Sequence, residues 1–234
     1  MLEDIRNHGV DKIACLGDAL QGGSQPAETL GRLREIGCPV VMGNADSWLV
    51  SGKESQKGER TSEKQEKVRQ WSLAKLSKDD LDYIQQKFQP TIEISLAEGK
   101  RKLLCFHGSP SSYDDIILPS TSDEEVKSFL SGHDTTFLAG GHTHTQQLRR
   151  VGNASWYINP GSVALPYNWE RSNMETEQIV IDPWADYAII SSEETGIFGV
   201  TFCHVPYDLD QFSENFRKSG IPFAEESLIK NRRD

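Results

Sequence analysis

The chain has no apolar run that approaches the roughly 20 residues a membrane-spanning helix requires. It is poor in cysteine: Cys15, Cys38, Cys105 and Cys203 are far apart and form no CxxC pair, which excludes a zinc ribbon and a dithiol redox motif. Three of them sit inside apolar runs (IACLG, LLCFHG, VTFCHV), the placement of small buried hydrophobes. Basic residues are in deficit. Twenty-five Lys and Arg face 35 Asp and Glu, for a net charge of −10, which argues against binding to duplex nucleic acid, where cationic surface dominates affinity. No repeat of fixed period occurs, and MLEDIRNHG has no apolar core of the kind a signal peptide carries. A soluble cytoplasmic protein is expected, with no membrane and no duplex nucleic acid among its partners. A phosphate-bearing substrate would need a bound cation to meet such a chain.

What is present is a hydrophobic share of 36% in 234 residues, enough for one sizeable core. A single domain over residues 1–234 is expected, with a polar helical or loop insertion at 51–76 and a tail at 221–234. MLEDIRNHG reads as a short helix stopped by Gly9. DKIACLGD and CPVVMGNAD read as buried strands ending at Asp18 and Asn44, with the helix PAETLGRLREIG between them. Helical patterns follow over 68–76 and 79–88, the second opened by a Ser77/Asp80 capping box. TIEISL and KLLCF form a hairpin around AEGK, SDEEVKSFLSG is an amphipathic helix, and TTFLAGG is a strand. QQLRRV, SWYINPG, ADYAIISS and IFGVTFCHV are further strands, followed by helices over DLDQFSENFRKSG and AEESLIKNRRD. Alternation of strand and helix, then adjacent strands, implies sheets packed together with helices outside.

Polar residues collect at the carboxyl ends of these strands: Asp18, Asn44, His107, and the pair His142 and His144. Ligands bind outside that edge in sheets flanked by helices. In an extended loop, residues i and i+2 point the same way, so His142 and His144 are expected to face one spot. One Asp, one Asn and three His form a mixed oxygen and nitrogen set that suits Mn, Fe, Zn, Co or Ni better than the oxygen-preferring Ca or Mg. His8, His133 and His204 have no such companions and are left as ordinary histidines.

The blocks GDALQGG, GNAD, FHGSP, GGHTHTQ and NPGSV, in this order over residues 2–225, resemble the signature blocks of the calcineurin-like metallophosphoesterases, in particular their small single-domain bacterial-type phosphodiesterase branch. The resemblance implies an α/β fold, a four-layer α-β-β-α sandwich with two divalent metals at the carboxyl edge, manganese being the first expectation. It implies that Asp18 bridges both ions, that Asn44, His107 and His142 complete the second site, and that His144 serves the first. The NPGSV loop would lie near the metals, with Asn44, Gly161 and Ser162 as candidate substrate contacts. The chemistry implied is hydrolysis of small phosphoesters or nucleotides by a metal-activated water.

Two departures from the pattern matter. The family's Asp-x-His block is absent from these residues, and MLEDIRNHG resembles the helix that follows it; the expectation is that the start is misassigned and that a strand lies upstream, the alternative being a truncated form in which one of the two metal sites is complete. Ala45 stands where many relatives carry a His thought to assist the leaving group. Asp46 is then the remaining candidate catalytic residue, acting at one remove. Retention of five ligand residues favours an enzyme. The rival expectation is a protein-binding scaffold on the same fold, like the retromer subunit of that family.

Overall fold

The computed structural model describes residues 1–53, 61–133, 135–167 and 180–230. The amino-terminal half is mostly helical. Helix α1 (Leu2–Asn7) precedes α2 (Pro26–Glu35), whose Pro26 sits in the first turn, where the missing N–H costs no hydrogen bond. Helix α3 (Asn44–Ser51) follows, then α4 (Glu63–Lys75) and α5 (Lys78–Lys87). Ser62 and Ser77 cap the last two, each accepting from the amide three residues on, and each is answered by that residue's side chain. Leu20, Leu30, Leu49, Leu76, Ile84 and Phe88 close a core among these helices.

A five-stranded mixed sheet begins with β1 (Ile92–Leu96), turns through a single 3-10 turn (Ala97–Gly99) into β2 (Arg101–Cys105), and continues after α6 (Asp123–Leu130) with β3 (Phe137–Ala139), β4 (Gln147–Val151) and β5 (Ser155–Asn159). The order is β1-β2-β3-β5-β4, with β2, β3 and β5 parallel. Those three strands therefore end on one edge. Strands β6 (Trp184–Ser192) and β7 (Phe198–Pro206) form a second, antiparallel sheet. Helices α7 (Leu209–Lys218) and α8 (Ala224–Lys230) close the chain, burying Phe216, Ile221 and Leu228 against Val68 and Trp71.

The two sheets pack face to face. Leu103, Cys105, Phe137, Ala139 and Ile158 from the first meet Ala188, Ile190, Val200 and Phe202 from the second. The opposite face of the first sheet, Leu104, Leu138 and Tyr157, is covered by Val126 and Leu130 of α6. This mixed α/β architecture of sheets with outer helices agrees with the fold class expected from the sequence.

Three expectations about elements need correction. DKIACLGD and CPVVMGNAD do not form ladders: they make isolated parallel bridges, Cys15 to Val40 and Val41 to Gln89. Cys15 accepts from Val41 N at 2.9 Å and donates to Pro39 O at 3.0 Å, so the two segments run side by side with too few bonds for a strand. Asn44 opens a helix that the sequence reading did not anticipate. The helical pattern read from Val68 begins earlier, because α4 starts at Glu63; residues 54–60 of the polar insertion lie outside the described residues.

Candidate metal centre

The carboxyl edge of the parallel strands carries the site, and backbone bonds between loops set it. Phe106 N donates to Ala139 O at 2.9 Å and Gly141 N to His107 O at 2.9 Å, which extends the β2/β3 pairing beyond the strands and brings His107 alongside the GGHTHTQ loop. Gly17 (φ 94°) and Asp18 (φ 53°) are left-handed, and for Asp18 that conformation is an uncommon one. It lets the Asp18 carboxylate fold against α3. There Asp18 Oδ1 accepts from Ala45 N at 2.9 Å, at the positive end of the helix. Only glycine fits at residue 43, since a Cβ would lie 2.0 Å from Asp18 Oδ1.

His107, 2% exposed, is the centre of the arrangement. Its Nδ1–H is donated to Leu16 O at 2.7 Å, which turns Nε2 toward the cleft. Nε2 lies 3.2 Å from Asp18 Oδ2, 3.0 Å from Asn44 Oδ1 and 3.2 Å from His142 Nδ1. A single proton on Nε2 can serve one of these three lone-pair groups, leaving the rest facing one another. A cation resolves that conflict: donors about 2.0 to 2.3 Å from one ion at cis or tetrahedral angles lie about 2.8 to 3.8 Å apart. Asp18, His107 and His142 offer ligand atoms within 4.8 Å of one another.

The electrostatics fit the same use. Burial raises and the His107 ring lowers the Asp18 pKa, with the Ala45 amide assisting, and the net direction is down. Burial lowers the His107 pKa, but the Asp18 charge and the bonds to Asp18 and Leu16 outweigh it and the net direction is up. Both shifts favour the charged forms of the pair, and an ion held there would compete with the Nε2 proton. Burial and the neighbouring His107 push His142 down to about 4, so it is neutral with its lone pair ready.

The two histidines of the HTH block do not sit in an extended loop. His144 N donates to Gly141 O at 3.0 Å in a tight turn, and His144 is left-handed (φ 57°). The turn sends them apart: His142 joins His107, whereas His144 falls outside the 4.8 Å cluster and donates from Nδ1 to Leu165 O at 3.1 Å. His144 retains electrostatic contact with Asp18, and burial lowers its pKa, leaving a neutral ring.

The other sequence candidates, Asp46, Gly161 and Ser162, lie around this cluster in settled hydrogen bonds. Asp46 is fully buried and accepts from Ala19 N at 3.1 Å, Leu20 N at 3.3 Å and Gly43 N at 3.4 Å. Burial and the Asp18 charge push it up to about 7. A carboxyl group so enclosed holds the 18–20 loop onto α3. The Gly161 N–H is already donated to Asn159 Oδ1 at 2.9 Å, and a Cβ at Gly161 would lie 2.3 Å from Asp186 Oδ2. Ser162 accepts on its hydroxyl from Leu165 N at 3.1 Å and on its carbonyl from Asp186 N at 2.9 Å. The Gly161 amide is thus spent within the turn and does not point at an anion. That turn instead organises the site through Asn159, 0% exposed, whose Nδ2 donates to Gly141 O at 2.8 Å and Thr143 Oγ1 at 3.0 Å. Asn159 clips the NPGSV turn to the histidine loop. Its only sequence signal is an Asn ending an apolar strand before Pro-Gly.

A mixed α/β fold here brings a carboxylate, an amide and imidazoles together at the carboxyl edge of its parallel strands, a donor set able to hold a metal ion. Residues 1–179 match the calcineurin-like phosphoesterase superfamily domain, and the chain belongs to that superfamily. It is similar to an uncharacterised protein of Methanocaldococcus jannaschii, 25% identical over 236 residues, covering 95% of this chain and 87% of that one. Among solved structures it is similar to a metallophosphoesterase from Sphaerobacter thermophilus, with a TM-score of 0.66 and 21% identity over 98% of this chain and 91% of that one. A hypothetical protein of Pyrococcus horikoshii gives a TM-score of 0.72 and 15% identity over 98% and 88%.

Proposed function

We propose that this protein is a metal-dependent phosphoester hydrolase, and that its substrates are small phosphodiesters, nucleotides among them. The observation that carries the reading is the His107 imidazole, with Nδ1–H fixed on Leu16 O and Nε2 within 3.0 to 3.2 Å of Asn44, His142 and Asp18. Asp18, Asn44, His107 and His142 would hold one divalent ion; His144, turned aside but sensing Asp18, would serve a second. The mixed nitrogen and oxygen set favours manganese, with Fe, Zn, Co or Ni as alternatives. A bound ion supplies charge neutralisation at the phosphoryl oxygens and a water of lowered pKa.

The chain's own residues do the rest. Asp46 and Gly43 hold the Asp18 carboxylate against α3, Leu16 fixes the His107 tautomer, and Asn159 holds the histidine loop in register. Ala45 offers no side-chain proton to a departing oxygen, which favours esters with good leaving groups and diesters over alkyl monoesters. Among the described residues no helix is long and apolar enough to cross a membrane. The cytoplasm remains the proposed setting.

The test is hydrolysis of bis(p-nitrophenyl) phosphate with added Mn²⁺. Turnover that is abolished by chelator and by His107→Ala supports the reading. Absence of turnover, with Mn²⁺ bound, would favour the scaffold alternative.

A further inference from the structure

The histidine turn leaves β3 at Ala139 and enters β4 at Gln147. His144 within it is left-handed (φ 57°), a conformation that a side-chain-bearing residue keeps only where its surroundings hold it. At the entry of the turn, Gly141 N donates to His107 O and Asn159 Nδ2 donates to Gly141 O. At the exit stands Gln146, two residues past His144. Its Nε2 lies 3.1 Å from Pro160 O, 3.3 Å from Tyr187 O and 3.3 Å from Cys203 O. Two amide hydrogens are thus shared among three carbonyls.

Those carbonyls come from two places. Pro160 belongs to the NPGSV turn, whereas Tyr187 and Cys203 face each other across the β6/β7 ladder. One side chain therefore ties the exit of the histidine turn to the second sheet. The next residue pulls the other way: Gln147 Nε2 donates to Ile117 O at 2.7 Å, and Ile117 packs with Val126 and Leu130 of α6. Successive side chains of a strand point to opposite faces, so the two amides grip the chain from both layers. Backbone carbonyls only accept, and three of them meeting at one point call for a donor; a glutamine amide supplies two N–H groups without bringing a charge.

We propose that Gln146 is a positioning residue: by fixing the exit of the turn on the second sheet, it sets where the His144 imidazole stands relative to Asp18. The proposal rests on the reading of His144 as a ligand of a second ion, and it gives the second sheet a part in that site.

Gln146→Met keeps about the same side-chain length and removes the donors. Whether Gln146 acts through His144 is read by a double-mutant cycle, with Gln146→Met made in the wild-type and in the His144→Ala background. Each protein is titrated with Mn²⁺ by calorimetry and assayed on bis(p-nitrophenyl) phosphate in excess Mn²⁺. In the wild-type background the substitution is expected to weaken the second Mn²⁺ binding step and to lower kcat/KM, each by about tenfold, the order of one lost hydrogen bond. In the His144→Ala background it is expected to change kcat/KM by less than about twofold, because the ring it positions is gone. Tight Mn²⁺ binding at the His107 cluster is expected to stay unchanged in all four proteins, which also reports that they fold. If the Met variant does not fold, Gln146→Asn, which keeps the donors and withdraws them by one methylene, takes its place in the cycle. Equal losses in the two backgrounds, or no loss in either, would overturn the positioning role and leave the hydrolase reading standing. Wild type that binds two ions without turning over the diester would overturn the hydrolase reading, and the second binding step of the Gln146→Met single variant would then decide the positioning role. Wild type with neither a second binding step nor turnover would overturn both.

Discussion

At the scale of single residues, Asp18 is distinguished by serving several partners at once. It accepts from Ala45 N, faces His107, and feels His144. Asp18→Asn keeps the shape and removes the charge that draws a cation in. Its Mn²⁺ affinity in a calorimetric titration is expected to fall by about a hundredfold or more, the upper range for disturbing a metal's surroundings. His144→Ala, outside the tight cluster, is expected to cost far less. Equal losses would count against a central Asp18. The pH dependence follows from His107, whose pKa is raised in the metal-free fold. Below that pKa an entering ion must displace the Nε2 proton, so Mn²⁺ affinity is expected to rise with pH by up to about tenfold per unit and to level off above it. Folding stability of the metal-free protein runs the other way: the His107–Asp18 pair contributes fully below the unfolded His pKa, and that contribution fades as pH rises through the raised folded value. Titrations and melts from about pH 6 to about pH 9 check both slopes.

At the scale of elements, α3 and the histidine turn decide the geometry, and they were the least legible parts of the sequence. The hairpin of β1 and β2 announces itself by alternation around AEGK, and α6 by Ser122 and its amphipathic pattern. Helix α3 does not: Gly43, a residue without a capping side chain, is its N-cap, and the acceptor that answers the Gly43 amide is Asp46. In the sequence, Asp46 reads as a candidate catalytic residue acting at one remove, with nothing to mark it as a helix cap. Likewise, a spacing of two suggests parallel side chains, but the left-handed His144 breaks that rule, and no local pattern announces a positive φ outside glycine. Gly43→Ala tests the element directly. The methyl would meet Asp18 Oδ1 at 2.0 Å, whereas α3 itself tolerates alanine. The variant is expected to keep its circular dichroism and to lose Mn²⁺ binding. Retained binding would mean that Asp18 does not need its place on α3.

At the scale of the whole molecule, four segments spread over more than a hundred residues of chain are brought to one edge by the fold. Asp18, Asn44, His107 and His142 were legible as a set because each follows an apolar run, and parallel pairing carries such ends together. The supports of that set were not legible. Asn159 and the Leu16 carbonyl act through contacts to backbone or from it that depend on how distant loops meet. Because the ligands come from loops so far apart, an ion holding them links segments that separate on unfolding. Mn²⁺ at about 100 times its dissociation constant is expected to add about 2.7 kcal/mol of stability, reversed by chelator and read as a shift in the melting midpoint. The most direct measurement is an anomalous-difference map from crystals grown with Mn²⁺. A peak about 2.0 to 2.3 Å from His107 Nε2 and shared with Asp18, Asn44 and His142 is the expected result. An empty cluster, or a peak held by other residues, would contradict the assignment.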